Sequence, residues 1–288
     1  MVFCGKPVSV NVADPVVTEY LATLTERAQA VLGDNLVGVY AAGSIALEAY
    51  EGGRSDIDVA IVVDAALERS TKQAVIDALR TESLPCPARG LELVVYRGEI
   101  AAAGGSDPDF EVELNSGPQM AFRATFAGSD RSTEDGTFWY AIDRSILAER
   151  GLALTGPDAA DVFRSVSEGD LVTLLAVSLR WHLAMSAGGS GTANGSESSG
   201  TSAQESDEPA AWTDDAVLNA CRAWRRVRSG HWYSKVDAGR QVLREPATPA
   251  NVTAVVRQAL DARAGGSSPS VRQARDFQRF VLAEIQSA

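Results

Sequence analysis

Val39-Tyr40-Ala41-Ala42-Gly43-Ser44, followed about ten residues later by Ser55-Asp56-Ile57-Asp58-Val59-Ala60-Ile61-Val62-Val63, is the stretch whose reading decides the fold. Leu36 to Ala41 and Asp56 to Val63 are rich in Val, Ile and other strand formers, and Ile45 to Tyr50 between them is a short helical candidate. Side chains alternate across a sheet, so Asp56 and Asp58 point to one side while Ile57 and Val59 turn into the core. Two neighbouring carboxylates repel, and a divalent cation removes the repulsion. Magnesium takes oxygen ligands, commonly one or two carboxylates together with phosphate oxygens. The stretch is neither an EF-hand, since Ile61 stands where that loop needs Gly, nor a phosphate-binding P-loop, since no GxxxxGK[ST] run occurs.

Outward from this centre, Asp14-Pro15 caps a helix with apolar residues at Val17, Leu21, Leu24, Ala28 and Val31, closed by Gly33. A further helix runs from about Ala65 to Leu79, and Leu91 to Tyr96 is a third strand. After about residue 130 strand signals fade. Phe138 to Arg150 is helical, Ser167 caps a helix striped by Leu171, Leu174, Leu175 and Leu179, and Thr213 opens another. Thr248-Pro249 and Ser268-Pro269 are two more helix starts. The expected fold is an α/β domain over residues 1–130, a mixed sheet with helices, followed by an all-α helical bundle over 131–288. Residues 187–210, dominated by Gly, Ser, Ala and Thr, read as a disordered loop inside the bundle.

The same stretch indicates chemistry. Gly43 lets the backbone approach a phosphate closely, Ser44 offers a hydroxyl at the start of a helix, and Ser55 is a second hydroxyl beside the aspartates. Glu92 is the one acid in Leu91-Glu92-Leu93-Val94-Val95-Tyr96, a costly place for a charge without a partner. We expect it to join Asp56 and Asp58 across the sheet, to accept the proton of an acceptor hydroxyl attacking an α-phosphorus, and to touch a metal.

Composition narrows the partners. The 288 residues are 45% hydrophobic and 22% charged, ample for two cores. The net charge of −12, with only Lys6, Lys72 and Lys235 as lysines, argues against a nucleic-acid backbone as ligand. Neither Cys4, Cys86 and Cys221 nor His182 and His231 form a disulfide framework or a zinc spacing. The sequence has no membrane-length apolar run, and the start Met1-Val2-Phe3-Cys4-Gly5-Lys6-Pro7 has no secretory pattern, so a cytoplasmic protein, and a monomer, is expected.

Gly43-Ser44 followed by Asp56-Ile57-Asp58 resembles the signature of the polymerase-β-type nucleotidyltransferase superfamily. With Leu91-Glu92-Leu93-Val94-Val95, Leu218-Asn219-Ala220-Cys221-Arg222-Ala223-Trp224 and Gly230-His231-Trp232-Tyr233-Ser234-Lys235, the chain is similar to the aminoglycoside 3″/9 adenylyltransferases, which modify streptomycin and spectinomycin. The resemblance implies magnesium, as two ions, on Asp56, Asp58 and Glu92. It also implies Glu92 as catalytic base and nucleotide contacts from Gly43, Ser44, Ser55, Arg222 and Lys235. It further implies ATP as co-substrate, an aminoglycoside-like acceptor, antibiotic resistance as the setting, and two domains facing across a cleft. The chain departs from the family at 187–210 and at Glu113-Leu114-Asn115-Ser116-Gly117, where the family has an aromatic. In Trp212-Thr213-Asp214-Asp215, the acids either bind ammonium groups of an acceptor beside Trp212 or serve the first turn of a helix. The rival readings are a nucleotidyltransferase acting on a protein or RNA, and a non-catalytic nucleotide-binding or toxin–antitoxin module.

Overall fold

The structure is a computed structural model and describes residues 14–132, 135–185, 206–210, 212–246 and 248–287. It divides into two compact units, one ending at Ser167 and the other beginning at Glu168. In the first unit, α1 (Pro15–Leu32), β1 (Leu36–Ala41), α2 (Gly43–Ala46), β2 (Ile57–Val63), α3 (Arg69–Leu79), β3 (Leu91–Arg97), α4 (Gly98–Ala103), β4 (Val112–Gly117), β5 (Met120–Thr125), α5 (Phe138–Arg150), β6 (Leu152–Thr155) and α6 (Ala159–Val162) follow in order.

The strands form one mixed sheet in the order β5-β4-β3-β2-β1-β6. Only β2 and β3 run parallel, with α3 as their crossover. Asp14 caps α1 by accepting from the Val16 N–H, as the sequence predicts. The α1 stripe of Val17, Leu21, Leu24 and Ala28 packs with Val75, Ile76 and Leu79 of α3 against Ile57, Val59, Ile61, Leu91, Leu93 and Val95. That side of the sheet is closed from β1 to β4, and at the edge strand β5 Phe122 is 52% exposed.

The other side is closed only in part. Tyr40, Ala60, Val62 and Tyr96 pack there under Phe110, Tyr140, Leu147 and Phe163. Tyr40 meets the Phe163 ring edge-on at 5.1 Å. Arg144 of α5, 2% exposed, donates to the carbonyls of Gly105 and Asp107 at 2.8 Å and lies over the Tyr96 ring. The cover reaches the Ala60 row of β2. One pleat earlier on the same face stand Asp58, half-buried, and Glu92, exposed.

Several boundaries differ from the sequence reading. The break expected near residue 130 falls after Ser167, because β6 hydrogen-bonds to β1 and carries the sheet across that point. Three strands, β4, β5 and β6, lie where no strand was expected. β4 and β5 form a hairpin whose faces alternate polar and apolar rather than showing an apolar run. α2 is one turn rather than the longer Ile45–Tyr50 helix, and α3 starts at Arg69 rather than Ala65.

The second unit holds α7 (Glu168–Met185), α8 (Thr213–Ser229), α9 (Lys235–Arg244), α10 (Ala250–Arg263) and α11 (Val271–Gln286). Buried Val217, Leu218, Ala220, Cys221 and Trp224 make α8 the central helix, with α7, α9, α10 and α11 against it. Arg226 clamps Glu168 with two bonds of 2.8 and 2.7 Å and lies over the Trp232 ring. Gly239 lacks a Cβ where one would meet Leu218 at 2.8 Å, so α9 lies close on α8. The loop expected over 187–210 lies outside the described residues up to 205. Residues 206–210 are fixed: Pro209 bridges Ser270, and the N–H groups of Val271 and Arg272 donate to the carbonyls of Glu208 and Ser206. α11 accordingly starts from Ser270, whose hydroxyl and Gln273 form a reciprocal cap, rather than from Ser268. Among the described residues, no helix is long and apolar enough to cross a membrane.

Leu24, fully buried on α1, tests the sheet's closed side. Leu24→Ala is expected to cost about 2–5 kcal/mol, read as a lower urea midpoint of the first unit's transition.

Candidate active site

The parallel pairing of β2 with β3 places Asp58 directly beside Glu92. Asp56, two residues before Asp58, lies within electrostatic reach of Glu92. Ile57 and Val59, at 0% and 3% exposure, fill the opposite face, as the alternation requires. The backbone of Ala42 donates to the Asp58 carbonyl at 2.9 Å, tying the end of β1 to the start of β2. The next residue, Gly43, has φ +52°, and a Cβ there would run into Asp58 Oδ2. Position 43 therefore needs glycine twice over, for its left-handed backbone and for the room taken by the carboxylate.

Ser44 is the second residue of α2, and its Oγ is buried with no hydrogen-bond partner among the described residues. A buried hydroxyl left unmatched costs free energy unless a ligand meets it. The single turn of α2 gives little dipole, so the hydroxyl and the backbone are what this loop offers. Ser55 is used locally: its hydroxyl accepts from the Glu51 N–H at 3.0 Å and shapes the turn before Asp56.

Glu92 is solvent-accessible, yet protein surrounds it on the sheet side. Its carboxyl is pushed up to about 7, first by withdrawal from bulk water, then by the charges of Asp56 and Asp143, with Arg123 acting against them. A cation at Asp56 would reverse the second of these causes. Asp143 of α5 and Arg123 of β5 thus belong to the surroundings of Glu92, although the sequence did not single them out. Arg123 was legible as the polar residue between Phe122 and Ala124; Asp143, an acid in an ordinary helix, gave no signal.

Among the described residues, no group of three or more His, Cys, Asp or Glu side chains is drawn together tightly enough to hold an ion by itself. The donor set still suits magnesium, which needs only one or two carboxylates when phosphate oxygens and water complete its shell. Asp56 and Asp58 are the residues that would hold it.

In the second unit, the cations expected to meet a nucleotide lie on helix starts and faces. Asp215, Asn219 and Arg222 share one face of α8, and Arg222 donates to Asn219 Oδ1 at 2.9 Å. Lys235 begins α9 behind its cap Ser234, with Nζ 3.5 Å from Asp215 Oδ1. Arg263 of α10 also binds Asp215, and its Nε lies 3.3 Å from Asp214 Oδ2. Asp214 is 1% exposed, so its carboxylate serves the α8–α10 junction rather than an outside ligand. Asp215 is partly exposed, and Trp212, just before α8, is 39% exposed. His182 of α7 completes the group. Burial, then Lys235 and Arg222, lower its pKa from the ordinary 6.5 to about 4. It is therefore neutral at physiological pH.

No family model matches this sequence. No curated protein matches it either. The fold is that of an adenylyltransferase. The crystal structure of the spectinomycin adenyltransferase AAD(9) from Enterococcus faecialis, with ATP and spectinomycin, is similar over 93% of this chain and 98% of that one. The TM-score is 0.61 and the sequence identity 14%.

Because the folded-state pKa of His182 lies below its unfolded value, the unfolded chain binds the extra proton as pH falls. The stability this neutral imidazole preserves is present above about pH 6.5 and is lost progressively as pH falls towards about 4. Urea midpoints taken between pH 7 and 4.5 are expected to fall less steeply for His182→Gln than for the wild type.

Proposed function

We propose that this protein transfers AMP from ATP to a hydroxyl of an aminoglycoside-like small molecule, releasing pyrophosphate. The observation that carries this reading is the in-register pair Asp58 and Glu92 on the uncovered part of the sheet, with Gly43 packed against Asp58. A pair of acids on the sheet with a glycine-serine turn against it suits a triphosphate held at one end and a hydroxyl activated at the other.

Asp56 and Asp58 hold magnesium, which, when bound, neutralises the triphosphate and the charge that grows on pyrophosphate. Gly43 and Ser44 contact the phosphates through backbone and hydroxyl. Glu92 accepts the proton of the acceptor hydroxyl as its oxygen attacks the α-phosphorus. The new oxygen–phosphorus bond forms as the bond to the β-phosphate oxygen breaks, and pyrophosphate leaves with that electron pair. Arg222 and Lys235 are the cations we assign to the triphosphate. Trp212 and Asp215 are the acceptor contacts that remain after Asp214 is turned inward. The fold shared with an adenylyltransferase supports the nucleotidyl-transfer part of this reading.

Purified protein with ATP, magnesium and streptomycin or spectinomycin is expected to release pyrophosphate. Transfer of label to protein or RNA with no small-molecule acceptor would replace the acceptor class, and nucleotide binding without turnover would replace the enzyme. Glu92→Gln is expected to keep ATP affinity while transfer falls by roughly two to four orders of magnitude, the usual loss when a general base is removed. Unchanged turnover in that variant removes Glu92 from the chemistry.

A further inference from the structure

The pairing that joins Asp58 to Glu92 does not stop at β3. Glu92 pairs with Asn115 of β4, and Asn115 with Arg123 of β5. Asp58, Glu92, Asn115 and Arg123 therefore form one straight row across four strands on a single face. Neighbouring strands lie about 4.8 Å apart, which puts Arg123 two strands, or about 10 Å, beyond Glu92.

The next row on the same face explains why Arg123 stays there. Glu113, one pleat along β4 and 5% exposed, accepts from Arg123 Nη2 at 2.9 Å and from the Thr125 hydroxyl at 2.7 Å. Arg131 also approaches it, at 3.5 Å. A buried carboxylate thus anchors one edge of the Arg123 guanidinium, while the Arg123 side chain remains 44% exposed. A guanidinium has five N–H donors and no acceptor, and Glu113 uses only part of that set. A ligand that meets the outer edge must bring oxygen atoms that accept hydrogen bonds; an ammonium or guanidinium arriving there meets repulsion and finds nothing to accept its protons.

We infer that Arg123 is a specificity-determining residue: the acceptor lies along the row, its reacting hydroxyl at Glu92 and its far end, a carbonyl, hydroxyl or carboxylate oxygen, on Arg123. Asn115 lies between, with both a donor and an acceptor to offer a polyol. The acceptor class is an oxygen-ended alcohol rather than one cationic at both ends. This rests on Glu92 being the reacting end, as proposed above, and narrows the acceptor within that reading.

Acceptor binding is measured by calorimetry on the full chain with magnesium and a non-hydrolysable ATP analogue, using spectinomycin as the oxo-bearing probe, glucuronate as the anionic one and streptomycin as the polycation. The wild type is expected to bind an oxygen-ended probe more tightly than streptomycin. Arg123→Gln should weaken that probe about tenfold, the cost of losing a charged donor, with the affinity for the ATP analogue unchanged. Arg123→Glu should weaken it further and strengthen streptomycin. Lys, which keeps the charge, should restore part of the loss in Arg123→Lys. Equal binding of all probes by wild type and Arg123→Gln overturns the inference, as does a wild-type preference for streptomycin or no binding of any probe. If binding follows Arg123 in this way but no pyrophosphate is released, the acceptor site stands and the nucleotidyl-transfer reading falls. Urea midpoints of the variants show that each is folded.

Discussion

The register of two parallel strands is the constraint on which the rest of the first unit depends. β2 and β3 meet with Asp58 opposite Glu92, and a slip of β3 by one residue would turn Glu92 towards the core and bring Leu91 and Leu93 out. The apolar residues of the closed face enforce this register: Ile57, Val59, Ile61, Leu91, Leu93 and Val95 are all at 3% exposure or less. The acids are thus held in place by hydrophobic burial on the far side of the sheet. Mutual attraction cannot hold them, because like charges oppose the arrangement. The chain keeps them together because the alternative costs an entire buried face.

Much of that arrangement was legible from the sequence. Alternation over Asp56 to Val63 and Leu91 to Tyr96 gave the strands, their faces and the shared side of the acids, because a two-residue period is a local property. The helical second unit was legible for the same reason, through its capping residues and apolar stripes. Pairing partners were not, since nothing local to Asn115 or Arg123 says which strand lies beside it. β6 was missed because four residues, Leu152 to Thr155, carry too little pattern, and its pairing with β1 moved the boundary between the units. Asp143 joined the site only through the packing of α5. Asp214 and Asp215, equal as first-turn acids in the sequence, were separated by helical geometry: one faces Arg263 in the interior, and the other also reaches the surface.

The second unit treats charge differently from the first. Around β2 and β3, the acids Asp58 and Glu92 stand directly beside one another. On α7 to α10, by contrast, Lys235, Arg222 and Arg263 stand among Asp215, Asp214 and a histidine kept neutral. A neutral imidazole between two cations adds no third positive charge, so the helices pack without further repulsion. The close approach of α9 to α8 at Gly239 helps to bring Lys235 near Asp215.

Strand order also sets where this molecule can change. Asp58 and Glu92 sit in the middle of the sheet, hydrogen-bonded on both flanks, whereas Arg123 lies on the outermost strand, β5, paired on one side only. A substitution on β5 disturbs one ladder and an exposed surface, and one on β2 or β3 disturbs two ladders and a sealed core. Descendants of this chain would therefore drift in what they recognise long before they drift in the chemistry they perform.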